Sequence, residues 1–113
     1  RVLLASPDMR VLFERSPDDH APLELARRYL GGADVVLVEG FKRASLPKVE
    51  VFRASLAAFP LYTDPELDPS TWVAIVTDDL ALDAEVPVLH FQDTMWLQLL
   101  ANLVWAHALV IPE

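Results

Sequence analysis

Glu39, Gly40 and Lys42 follow the apolar run Val35-Val36-Leu37-Val38. Such a run reads as a buried strand that delivers an acid to the edge of a sheet. In nucleotide-binding α/β proteins, ligands collect beyond the carboxyl ends of the strands, and an acid placed there directs magnesium. One carboxylate can be enough, because this ion takes oxygen ligands and keeps several waters. Taken by itself, Glu39 can equally pair with Lys42 or face solvent, since so short a pattern recurs by chance. Gly40 suits a backbone that needs positive φ or close approach after the strand.

Two further groups carry chemistry. Lys42, Arg43, Lys48 and Arg53 concentrate positive charge within twelve residues of an acidic chain. They can receive phosphates, or they can be edge lysines that discourage strand-to-strand association. Thr77 and Asp78 follow the apolar run Val73-Ala74-Ile75-Val76. An acid in that place can accept hydrogen bonds from the N–H groups of guanine, or it can cap a turn. His20, His90 and His107 are too scattered for a ligand cluster. Asp64, Glu66 and Asp68 lack the glycine-centred spacing of a calcium loop, and no serine sits in a strained elbow beside a histidine.

The elements that must position these groups are legible. Residues 2–5 and 10–13 are β-prone runs around Ser6-Pro7-Asp8-Met9, which predicts an antiparallel hairpin. Asp18 and Asp19 precede Pro22 and supply capping carboxylates for a helix that buries Leu23, Ala26, Tyr29 and Leu30 and ends at Gly31-Gly32. A strand over 34–38 follows. Residues 48–53 alternate as a half-exposed strand, with Val49, Val51 and Arg53 on one side and Lys48, Glu50 and Phe52 on the other. Residues 54–72 read as successive turns. Buried strands over 73–76 and 86–91 precede a final helix capped by Asp93-Thr94. Helices alternating with strands, plus the hairpin, predict α/β with a mixed sheet flanked by helices.

Composition sets outer limits. A chain of 113 residues allows one domain, and 53% hydrophobic residues argue for a folded core. A net charge of −8 argues against broad nucleic-acid binding, and the absence of cysteine excludes disulfides and thiolate chemistry. Residues 95–111 are strongly apolar but interrupted by Gln98, Asn102 and His107, and they fall short of the ~20 residues that span a bilayer. A buried helix and a cytoplasmic protein are the expectation.

Ala33-Asp34-Val35-Val36-Leu37-Val38-Glu39-Gly40-Phe41-Lys42, followed by Pro47-Lys48-Val49-Glu50-Val51-Phe52-Arg53, resembles the signature of the molybdopterin-guanine dinucleotide biosynthesis protein B (MobB) family. Members are P-loop GTP-binding proteins of molybdenum-cofactor maturation. The resemblance runs from about residue 3 to 93 and is specific over 33–53. It implies a P-loop NTPase-like α/β fold, GTP and Mg²⁺ as cofactors, at most weak GTPase activity, and homodimers. It also implies molybdopterin and the molybdenum cofactor guanylyltransferase as partners, with the protein assisting GMP attachment. Glu39 becomes the metal-side acid, Gly40 and Lys42 nucleotide-binding residues, and Thr77 and Asp78 base contacts. No G-x-x-x-x-G-K-[ST] loop occurs around Gly31, Gly32 or Gly40, so the chain is expected to be the C-terminal part of such a domain, incomplete at its N-terminus. A non-catalytic adapter that keeps the fold is the alternative. A ligase of the dethiobiotin synthetase type shares the Val-Glu-Gly strand end but not the Pro-Lys-Val-Glu-Val-Phe-Arg stretch.

Overall fold

The computed structural model describes residues 1–16 and 19–112. The hairpin forms as expected: β1 (Val2–Ala5) pairs antiparallel with β2 (Arg10–Phe13), Ala5 opposite Arg10. The turn is closed by the Ser6 amide donating to the Met9 carbonyl at 2.8 Å and by the Ser6 hydroxyl donating to Asp8. Helix α1 (Pro22–Tyr29) starts on its proline, whose missing N–H costs nothing there. Its N-cap is Ala21, which makes no side-chain cap bond, so Asp19 does not cap it, and Asp18 lies outside the described residues. Instead of the four expected apolar residues, Ala26 alone is buried on α1. Gly32 ends the element with a φ of +86°, a left-handed conformation that glycine adopts without strain.

The core is a three-stranded parallel sheet in the order β3 (Lys48–Phe52), β4 (Trp72–Thr77), β5 (Val88–His90). All six residues of β4 are buried, as expected of a central parallel strand covered on both faces. No ladder joins the hairpin to this sheet among the described residues, so the expected single mixed sheet is two separate sheets. The run over 34–38 is also corrected. It enters neither sheet, and Leu37 is 82% exposed. Apolar continuity is only half of what a buried strand requires. The other half is a neighbour that satisfies its backbone N–H and C=O groups, and no described strand supplies one.

Strand β3 turns its Glu50/Phe52 face inward and leaves Val51 64% exposed. Alternation predicted two faces, and packing selected the one carrying the acid. Residues 54–71 are irregular apart from two short 3₁₀ turns, Leu61–Thr63 and Pro69–Thr71. Helix α2 (Trp96–His107) packs on β4 and β5. Its N-cap is Met95 with no side-chain cap bond, so the expected Asp93-Thr94 cap does not form. Among the described residues no helix is long and apolar enough to cross a membrane.

Candidate functional site

The carboxyl ends of the parallel strands gather the first set of polar groups. Asp78 leaves β4 with its carboxylate turned toward β3. Its Oδ1 accepts the Ala54 amide at 3.2 Å, and its Oδ2 lies 3.6 Å from Arg53 Nε. The guanidinium also sits 5.6 Å from the centre of the Phe91 ring, a cation–π distance. Phe91 in turn meets Trp96 edge-on at 5.1 Å, and the Gln92 side chain donates to the Asp78 carbonyl at 3.4 Å. This edge therefore offers one carboxylate, one carboxamide and an aromatic face together. The Arg53–Asp78 pair is partly exposed and is worth about 0–1 kcal/mol, so it orients more than it stabilises.

Thr77 lies deeper, fully buried, with its hydroxyl accepting the Asp79 amide at 3.0 Å. That bond shapes the turn that carries Asp78 outward. Asp79 closes the same turn by accepting the Ala81 amide at 2.9 Å.

Glu39, Gly40 and Lys42 belong elsewhere. Glu39 is exposed and has no bonded partner among the described residues. Gly40 takes a φ of +80°, and a Cβ built on it meets nothing within 4 Å. Its requirement is torsional, not a matter of space. Phe41 follows with a φ of 51°, so the chain turns sharply through two left-handed residues. Lys42 lines a hollow of about 250 Å³ with Arg43, Ser45, Lys48, Glu66 and Asp68. Lys48 stands opposite Trp72 at the start of β4, whereas Thr77 ends that strand. At ~3.3 Å per residue the two ends are about 17 Å apart. The structure brings Thr77 and Asp78 together and holds Lys42 at the opposite edge.

In that hollow the Lys48 ammonium donates to the carbonyls of Ala44 and Leu46, and lies 3.5 Å from the Thr71 hydroxyl. Arg43 pairs with Glu66 at 3.1 Å. Asp68 accepts both the hydroxyl and the amide of Ser70. Those two bonds, assisted by the Lys48 charge, hold its carboxyl below the usual carboxylate range.

Glu50 and Phe91 were not singled out by type and spacing. Glu50 is only 7% exposed and accepts the amides of Leu61 and Tyr62, the second at 2.9 Å. The available signal was an acid two residues from Phe52 on one face of a strand. Its partners, eleven and twelve residues away, carry no signal at all.

The implied cofactors can be tested against these groups. No cluster of three acidic or histidine side chains able to hold a metal exists among the described residues. A magnesium ion carried on phosphate oxygens needs only one or two carboxylates, and the unpaired Glu39 fits that form. The Asp78 carboxylate, with lone pairs beyond those given to Ala54 and Arg53, fits the N–H edge of a purine.

Residues 1–78 match the family model described as molybdopterin guanine dinucleotide synthesis protein B. That span includes Glu39, Gly40, Lys42, Thr77 and Asp78. No curated protein and no solved structure matches the chain.

Proposed function

The chain belongs to the molybdopterin guanine dinucleotide synthesis protein B family, and from that premise we propose that it is a GTP-binding accessory protein that assists GMP attachment to molybdopterin. The family itself links the chain to molybdopterin guanine dinucleotide biosynthesis and to nucleotide binding. The observation that carries the finer reading is the carboxyl edge of the parallel sheet. There Asp78 is held by Ala54 and Arg53 beside Phe91 and Gln92. A carboxylate fixed in this way can accept the two adjacent N–H groups of guanine, while adenine presents an acceptor at one of those positions and is refused.

In this reading the residues of the chain bind and orient and perform no covalent step. Arg53 and the Ala54 amide aim Asp78, and the Thr77 hydroxyl holds the turn behind it. Magnesium, when bound with phosphates, would supply charge neutralisation next to Glu39. A cytoplasmic setting, the guanylyltransferase as partner and a homodimer belong to the same proposal.

The adapter reading has one observation in its favour. Both Asp78 oxygens already have partners within the chain, so the edge is self-satisfied without a ligand. Trp96, against Phe91, is a built-in reporter that separates the two. Titrated with GTP, its emission should change with a dissociation constant on the order of 1 mM or weaker, since no glycine-rich loop adds phosphate contacts. ATP should have no effect, and Asp78→Asn, which turns a donor toward the base, should abolish the GTP response. Equal responses to GTP and ATP, or an unchanged response in the variant, would support the adapter and sink the guanine reading.

A further inference from the structure

Three of the nine lysines and arginines in this chain, Lys42, Arg43 and Lys48, line one hollow at the amino edge of the parallel sheet, although the chain as a whole carries −8. The two acids in the same hollow, Glu66 and Asp68, offset that charge only in part. Glu66 engages one nitrogen of Arg43, and a guanidinium has five donors, so most of the fork is uncommitted. Asp68 commits Oδ1 to Ser70 and feels the Lys48 charge, but makes no direct ion pair with Lys42 or Arg43 among the described residues.

Lys48 is different in kind from its neighbours. Its ammonium is partly buried and directed at the Ala44 and Leu46 carbonyls and the Thr71 hydroxyl. All three of its donors therefore hold the loop of residues 42–47 closed on the start of β4. Lys42 and the Ser45 hydroxyl remain at the wall of the hollow with no partner among the described residues.

We propose that this hollow is an oxyanion subsite for a phosphate group, with Lys42, the free arm of Arg43 and the Ser45 hydroxyl as donors and Lys48 as the residue that shapes it. A phosphate monoester carries a charge of about −1.5 to −2 and three acceptor oxygens, which suits three donor groups lining one hollow with a local excess of one positive charge. The subsite stands apart from the guanine reading, because Asp78 is at the far end of β4. Its ligand class is a phosphomonoester or a terminal nucleotide phosphate. The donors are exposed to water, so the affinity is modest, with a dissociation constant of about 1–10 mM.

The test is a ¹H–¹⁵N titration of the whole chain with orthophosphate at constant ionic strength. The amides of residues 42–45 should shift and saturate, and Lys42→Ala combined with Arg43→Ala should weaken binding about tenfold or more. Both side chains are exposed, so the double variant should keep its fold. Lys48→Met keeps the stem but drops the clamp, and should weaken phosphate binding while Lys42 and Arg43 remain. The absence of saturable shifts at residues 42–45, or an unchanged affinity in the double variant, overturns the subsite. Glycerol phosphate binding as well as GTP assigns the site to phosphomonoesters in general, and a clear preference for GTP assigns it to a nucleotide phosphate. Guanosine, which has no phosphate, reports on the carboxyl edge alone. A response to guanosine without one to orthophosphate removes this subsite only, and the reverse removes only the guanine reading.

Discussion

Glu50 illustrates how much one side chain can organise. Its carboxylate leaves β3 and takes the two leading amides of the 3₁₀ turn Leu61–Thr63, groups that otherwise lack a partner. Tyr62 extends the connection, with its ring edge-on to Trp72 at 6.1 Å and its hydroxyl accepting the Glu85 amide at 3.2 Å. One acid thus ties the 54–71 segment to the sheet and to the approach of β5. Glu50→Gln should cost about 1–3 kcal/mol, because the amide side chain points a donor at a donor. Denaturant unfolding measures the loss, and hydrogen exchange should localise it to Leu61, Tyr62 and Glu85. Uniform loss of protection across the sheet would contradict this local role. Asp68 makes a second residue-scale prediction. Its folded pKa is lowered by the Ser70 hydroxyl and amide, so its contribution to stability is present above the ordinary carboxylate value near 4. That contribution fades as pH falls through the lowered folded value. Asp68→Asn should lower stability at neutral pH and flatten this acid limb, so that the variant and the parent converge at low pH in denaturant unfolding.

Among the elements, α2 repays attention because it is apolar over most of its circumference. Trp96, Leu100, Leu103 and Val104 are half-buried and recur at helical spacing, which makes them the face packed on β4 and β5. Leu97, Leu99 and Trp105 point away, and Trp105 is 69% exposed. The expected buried helix is corrected: no residue of α2 is fully buried, because an apolar circumference this wide cannot all face one sheet, and that distinguishes the tryptophans. Acrylamide should quench Trp105 strongly and Trp96 weakly in the monomer, which Trp105→Phe and Trp96→Phe variants would resolve. Comparable quenching of both would mean that the contact between Trp96 and Phe91 does not persist in solution. The hairpin tells a related story. Its turn chemistry and register follow from local sequence, yet all eight of its strand residues are exposed. Turn residues select a hairpin without help, whereas burial needs something to pack against.

At the scale of the molecule, the exposed surface is 9131 Å², whereas a folded monomer of this mass exposes about 6,200 Å². The radius of gyration is 16.8 Å, against about 13 Å for a compact chain of this length. Large apolar side chains contribute to this surface on the hairpin, at Val35, Leu37 and Val38, on the outer face of α2, and singly at Leu56, Phe59, Leu80 and Val110. Contiguous exposed apolar surface marks interaction sites. We therefore expect the 113-residue chain to self-associate at micromolar concentration, with Trp105 at the contact. Sedimentation velocity should show species heavier than 12.6 kDa, and Trp105→Glu should shift them toward monomer. A monomer with Trp105 shielded from quencher would remove the interface.

The sequence alone determined those features whose cause is local. It placed the hairpin and its bounds, the glycine exit from α1, a special backbone at Gly40 (positive φ or close approach), the buried strand before Thr77 and the family signature in residues 33–53. Each depends on torsional preference, turn chemistry or an uninterrupted apolar run, which neighbouring residues settle among themselves. Tertiary structure decided what depends on distant partners. It turned the Glu50 face of β3 inward because Leu61 and Tyr62 bring amides to it. It held Asp78 against Arg53, twenty-five residues earlier. It separated Lys42 from Asp78 by the length of β4, and left residues 34–38 without a ladder. An apolar pattern states that a segment prefers burial, but a strand is realised only where another backbone meets its hydrogen bonds, and that partner is a property of the fold.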